Sequence, residues 1–110
     1  MSQELVMGID VGTYETKGVL VNADGAVAAT EVQPHTIIFP RAGWAEHDAE
    51  GTWWGDVVAV SKALLATPGV SPADVKGLGV SAIGPDVLPM DENFQPLRNG
   101  ILYGVDTRAV

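Results

Sequence analysis

Short apolar runs separated by polar turns open the chain, and a helical stripe follows them. Leu5–Asp10 is apolar and rich in β-formers, and Thr16–Val21 is apolar again, with Asp10, Gly12 and Thr13 in the interruption. Two such runs joined by a few turn residues make a hairpin. Asn22-Ala-Asp-Gly25 is a second turn signal, so Ala26–Gln33 reads as a third strand of an antiparallel meander. Pro34–His47 holds two prolines, two histidines and no clear period. It reads as a long loop, with Ile37, Ile38 and Phe39 packing locally.

At Asp48 the period changes. Asp48 suits a helix N-cap and Glu50 favours the first turn, although Gly51 weakens it. Trp53, Val57, Val60 and Leu64 fall at helical spacing, a stripe that should face a sheet. Pro68-Gly69 should stop the helix near Thr67. Ser71-Pro72-Ala73-Asp74 starts one further helical turn. Val75–Ile83 reads as a central strand whose Gly77 and Gly79 allow close backbone approach. A short strand at Val87–Met90, a turn at Asp91-Glu92-Asn93 and a return over Leu97–Tyr103 complete the pattern. Periodicity alone gives a mixed α/β domain with an antiparallel start.

Composition narrows the partners. The 110 residues suffice for one small domain with a core, and 46% hydrophobic against 18% charged residues excludes a disordered chain. With 14 acids against 6 bases the net charge is −8, which argues against a nucleic-acid partner and disfavours an anionic membrane surface. A nucleotide stays open, because its charge can be met by one lysine, backbone amides and a metal ion. The chain has no cysteine, which excludes disulfides and thiolate metal sites and fits the cytoplasm. Met1-Ser2-Gln3-Glu4 carries no basic leader and Asp10 breaks the apolar run behind it, so neither a signal peptide nor a membrane span is expected.

The tip of the first hairpin carries the candidate chemistry. Asp10 cannot face a phosphate directly but can do so across Mg²⁺, which takes one or two carboxylates and keeps several waters. Gly12 lets the backbone approach and turn, Thr13 offers a hydroxyl and an amide, and Lys17 is a point charge. The same residues also suit an ordinary surface hairpin.

Gly8-Ile-Asp-Val-Gly-Thr13, with Lys17 seven places after Asp10, resembles the first phosphate motif of the FGGY carbohydrate kinases. The resemblance continues through Gly43-Trp-Ala-Glu-His-Asp48, Trp53-Trp54 and Pro96-Leu-Arg98 to Tyr103-Gly-Val-Asp-Thr-Arg108, in the family's order and over nearly the whole chain. It implies the α/β, ribonuclease H-like fold of actin and the sugar kinases. Residues 1–110 would then be the N-terminal portion of lobe one. It further implies ATP and Mg²⁺ as cofactors, with Asp10 holding the metal and Gly12, Thr13 and Lys17 contacting the phosphates. Glu15 adds a negative charge close to that site.

Ser81–Asp86 takes the place of the sugar-binding run of the family. Xylulokinases have Gln-Met-His-Gly there and glycerol kinases an Arg-Glu pair; this chain has Ile83-Gly84-Pro85-Asp86. Gly84, Pro85 and Asp86 are therefore substrate candidates, although Gly84-Pro85 equally suits a plain turn. Asp106 and Arg108 resemble the block that borders the sugar site, and could either pair with each other or bind hydroxyls. The Gly43–Asp48 block reads as a structural loop leading into the helix, His47 as a poor metal ligand with only His35 for company, and Trp53-Trp54 as core. The resemblance places the general base beyond Val110, so the chain alone is not expected to turn over. The expected partner is a small sugar or polyol, D-xylulose first. Gluconate, glycerol or another polyol, a non-catalytic actin-like domain, and a homodimer of the complete enzyme stay open.

Overall fold

The computed structural model describes residues 3–109; Met1 and Ser2, where a leader was sought, lie outside them, as does Val110. Three strands form the expected meander: β1 (Leu5–Val11), β2 (Glu15–Asn22) and β3 (Val27–Pro34). β1 pairs antiparallel with β2, and β2 with β3. Strict alternation along β1 puts Leu5, Met7, Ile9 and Val11 into the core. Val6, Gly8 and Asp10 go to the opposite face.

Asp48 caps the helical segment as expected, its Oδ1 accepting from the Gly51 amide at 3.2 Å. A Cβ on Gly51 would sit 2.4 Å from the other Asp48 oxygen, so the residue that lowers helix propensity is the one that admits this cap. The first turns, Ala49–Trp54, are π-helical, and α1 (Gly55–Leu65) follows, ending two residues short of Thr67. α1 lies chiefly across β2 and β3. Gly18 makes this possible: a Cβ there would stand 2.3 Å from Val60 and 2.8 Å from Leu64. Leu5, Met7, Ile9, Val11, Leu20, Val60 and Leu64 form the main core. Each such side chain, fully buried, contributes about 1.5–3 kcal/mol.

After α1, Pro72–Asp74 makes one 3-10 turn closed by a capping box between Ser71 and Asp74. β5 (Val75–Ala82) then runs parallel to β1. The sheet order is β3-β2-β1-β5, so β5 is an edge strand among the described residues, not the central strand its apolar run suggested. α1 covers β2 and β3, and Leu78 and Val80 stay 61% and 59% exposed.

A second, smaller layer comes from the long loop and the C-terminal segment. The loop is not wholly irregular: β4 (Glu46–His47) pairs antiparallel with β6 (Gly100–Ile101), and Ile38 bridges to Glu46. Ile37, Ala45 and Leu102 are buried together there, whereas Phe39 faces solvent instead of packing locally. Val87–Met90 forms only isolated bridges, Val87 to Ile101 and Met90 to Pro96, in place of a strand. Trp53 joins the two layers. It packs against both cores, and its ring lies where a Cβ on Gly100 would be, 2.3 Å from Cη2.

Candidate functional site

Register gathers the first group of predicted residues. Asp10 stands opposite Lys17 of β2 on one side and Ser81 of β5 on the other, so the three line up across the outer face of the sheet. The Ser81 hydroxyl donates to Asp10 Oδ1 at 2.9 Å. This ties down one carboxylate oxygen of an exposed residue. Lys17 is exposed and pairs with Glu15 at 3.2 Å, so Glu15 takes up part of the charge that the lysine offers. An open trough of about 760 Å³ on this face is lined by Gly8, Asp10, Lys17, Gly79 and Ser81 among others.

The turn between β1 and β2 closes by a hydrogen bond from the Gly12 amide to the Glu15 carbonyl at 2.9 Å. A Cβ on Gly12 would meet that same carbonyl oxygen at 2.9 Å, so only glycine fits. On its inner side the turn rests on two histidines. His35 Nε2 lies 2.8 Å from the Gly12 carbonyl, and His47 Nε2 lies 3.0 Å from the Thr13 carbonyl. The rings meet edge to face, 4.8 Å between centroids. His35 Nδ1 lies 2.6 Å from Asp56 Oδ2 on α1, which also accepts from the buried Thr16 hydroxyl at 3.0 Å. Trp53 Nε1–H donates to His47 Nδ1 at 3.0 Å. Burial, and then the neighbouring His35, hold His47 below the ordinary histidine range. Sequence reasoning missed this network. His35 and His47 lie at the two ends of a loop with no period, and only the fold brings them under the turn.

The second group gathers around β4 and β6. Asp86 Oδ1 accepts from the Tyr103 amide at 2.8 Å, while its Oδ2 is buried without a partner among the described residues. Asp86 also lines a cavity of about 230 Å³ with Val11, Trp53, Ala82, Ile83 and Leu88. Gly84 and Pro85 make the bend between β5 and that cavity. Asp106 and Arg108 pair with each other, 2.6 Å at the closest approach. Asp106 accepts from the Ala45 amide at 2.7 Å, and Arg108 reaches Glu46 at 2.7 Å.

Glu46, buried, also receives Arg98 and Asn99. Burial works against its charge, but Arg108, Asn99 and Arg98 outweigh it and hold its carboxyl below the usual range. Asp106 is held low chiefly by its hydrogen bond to Arg108, and Arg108 correspondingly high. The Arg108 guanidinium stacks 3.9 Å from the Trp44 ring centroid, with Arg41 at 4.3 Å from it. One buried nitrogen of Arg108 keeps no partner among the described residues. The Gly43–Asp48 block is therefore a hub that ties the C-terminal segment to the sheet, more than a lead-in to the helix.

Among the described residues, no group of three or more His, Asp and Glu could hold a metal by itself. A lone strand-end carboxylate with one free oxygen instead suits a hard cation that keeps most of its water.

The model of the N-terminal domain of the FGGY family of carbohydrate kinases matches residues 5–110. The chain belongs to that family. It is 36% identical over 104 residues to the L-xylulose/3-keto-L-gulonate kinase of Escherichia coli, covering 94% of this chain and 20% of that protein. It is 30% identical over 102 residues to the glycerol kinase of Alkaliphilus oremlandii, covering 92% of this chain and 20% of that protein. The solved xylulose kinase from Rhodospirillum rubrum superimposes with a TM-score of 0.84 at 33% identity, over 96% of this chain and 22% of that one. The chain thus spans about a fifth of the length of the FGGY relatives it matches. The α/β fold is the one shared by actin and the sugar kinases.

Proposed function

We propose that this chain is the N-terminal portion of lobe one of an ATP-dependent kinase that phosphorylates a hydroxyl of a small sugar or polyol. The observation that carries the reading is the line Lys17–Asp10–Ser81 beside the glycine turn, at the exposed end of the sheet. A carboxylate, a lysine and a backbone turn with no room for a side chain are together what a metal-bound polyphosphate needs. The residues fit Mg²⁺ and ATP. Asp10 would hold the ion, through water, with its oxygen not used by Ser81, and Gly12, Thr13 and Lys17 would hold phosphate oxygens. When bound, the ion neutralises charge on the transferring phosphoryl group.

This chain's own part is positional. Ser81 fixes Asp10, and the Gly12–Glu15 turn fixes the amides. Glu15 shares Lys17 until an anion competes for it. Asp86, with an unpartnered buried oxygen on a small cavity, is the acceptor for a substrate hydroxyl, and Gly84-Pro85 shapes that end of the cleft. Asp106 and Arg108, paired with each other and bonded to Ala45 and Glu46, would hold in place the segment that borders the sugar. The general base comes from the part of the lobe beyond this chain, and the chain alone does not turn over.

D-xylulose is the first substrate to test, which the likeness to the Rhodospirillum rubrum xylulose kinase supports. Glycerol is the second, favoured by the likeness to the Alkaliphilus oremlandii glycerol kinase. A role in xylose metabolism, a cytoplasmic setting and a homodimer of the complete enzyme belong to the same proposal. No helix among the described residues is long and apolar enough to cross a membrane. The test is a coupled ADP-release assay of the complete protein on pentuloses, polyols and aldonates. Turnover on D-xylulose above the others is the expected result, and no turnover on any sugar by folded protein would overturn the reading.

A further inference from the structure

The two histidines beneath the turn are not explained by packing alone, because each spends a ring nitrogen on a backbone carbonyl of the turn. We infer that His35 and His47 are positioning residues of the nucleotide site: they pull the Gly12 and Thr13 carbonyls inward and so turn the Thr13 and Tyr14 amides outward toward the phosphates. The inference rests on the phosphate reading of the turn given above.

In a planar trans peptide the C=O of one residue and the N–H of the next point in opposite directions. His35 Nε2 holds the Gly12 oxygen at 2.8 Å, so the Thr13 N–H faces away from the histidine. His47 Nε2 holds the Thr13 oxygen at 3.0 Å, so the Tyr14 N–H does the same. Among the described residues neither amide donates to a protein acceptor. Two adjacent outward amides form a concavity suited to an anion.

Each ring is itself oriented by a third group. An indole N–H can only donate, so the contact from Trp53 makes His47 Nδ1 an acceptor and places the ring proton on Nε2, facing Thr13. Burial and His35 together favour this neutral form. His35 is aimed from the other side. Its Nδ1 lies 2.6 Å from Asp56 Oδ2, and Asp56 is anchored by the Thr16 hydroxyl from β2. Asp56 and Trp53 both belong to the helical segment. The close seat of α1 on Gly18 therefore sets where the two rings stand, and the rings set the turn.

The test uses the complete kinase and measures MgATP affinity by calorimetry alongside steady-state kinetics. His35→Ala and His47→Ala each free a carbonyl of the turn. Each is expected to weaken MgATP binding about tenfold, with the KM for sugar changed less than about twofold. His47→Gln, which restores a donor at the Nε2 position, should recover nucleotide affinity to within about threefold. Lys17→Ala serves as the direct phosphate contact. Should Lys17→Ala weaken MgATP while the histidine variants bind it normally, the positioning role falls and the phosphate reading stands. Should none of the three change it, both fall. A loss of thermal stability with nucleotide and sugar KM moving together would also overturn the inference. Where the alanine variants do not fold, long-range ¹H–¹⁵N spectra of the unmutated protein decide: an Nε2–H tautomer at His47 supports the inference, and an Nδ1–H tautomer overturns it.

Discussion

Asp10 shows how little a side chain must change to test its role. Asp10→Asn keeps an oxygen for the Ser81 hydroxyl and removes only the charge. It should leave the unfolding midpoint of the complete enzyme nearly unmoved and lower kcat by about a hundredfold or more, read in the coupled assay. The buried charges around β4 make a second prediction. Glu46 is buried and paired to Arg98, which is more exposed, and to Arg108, which is less so. Arg108→Met also strips Asp106 and should lower the unfolding midpoint clearly more than Arg98→Met does, because removing one partner of a buried pair leaves a charge uncompensated.

His47 gives the pH dependence. It is held below its ordinary value of 6.5 by burial and by His35, against the opposing pull of the Thr13 carbonyl, Asp86 and Asp56. A group depressed in this way binds protons more readily once unfolded. The stability it contributes is complete above about 6.5 and is lost as pH falls through 6.5 toward the lower folded value. Urea midpoints at pH 7.5 and 5.5 should therefore drop at the acid end, and His47→Gln should flatten that part of the drop. Asp10, Gly12, Thr13 and Lys17 were legible at this scale because one short motif contains them. His35, Asp56 and Thr16 were not, since their meeting depends on a loop and a helix folding onto the same spot.

At the scale of elements, two glycines set how closely the helical segment packs on the strands. Gly18→Ala forces a methyl into Val60 and Leu64, both fixed in the core, and should cost about 1–3 kcal/mol. Gly100→Ala should cost a similar amount by pushing Trp53 off β6. Chemical denaturation of the complete protein checks both. Because α1 carries Asp56, Gly18→Ala should also weaken MgATP binding, whereas Gly100→Ala should reach the turn only through Trp53 and His47. The meander and the helix were readable in advance: period-two and helical runs were long, and turn residues stood between them. The position of β5 was not. An apolar run says that a strand is built to be covered, but strand order is set by pairing between distant segments, which the run does not encode. The two-residue strands β4 and β6 were equally invisible, being too short to carry a period.

For the whole molecule, an ordered series of motifs made the FGGY family readable from the chain itself, while the proposed substrate side chains near Asp86 carry no sequence signature of their own. Asp86→Asn keeps the shape of the 230 Å³ cavity and removes its charge. It should raise the sugar KM about tenfold, leaving MgATP affinity unchanged, which separates the sugar end of the cleft from the phosphate end. The central claim is that the turn between β1 and β2 grips the polyphosphate of a magnesium-bound nucleotide. The most direct measurement is a crystal structure of the complete kinase with Mg²⁺ and a non-hydrolysable ATP analogue. The account predicts the ion's water shell on Asp10 and phosphate oxygens on the Thr13 and Tyr14 amides and Lys17. Phosphates bound elsewhere, with Asp10 still bonded only to Ser81, would contradict it.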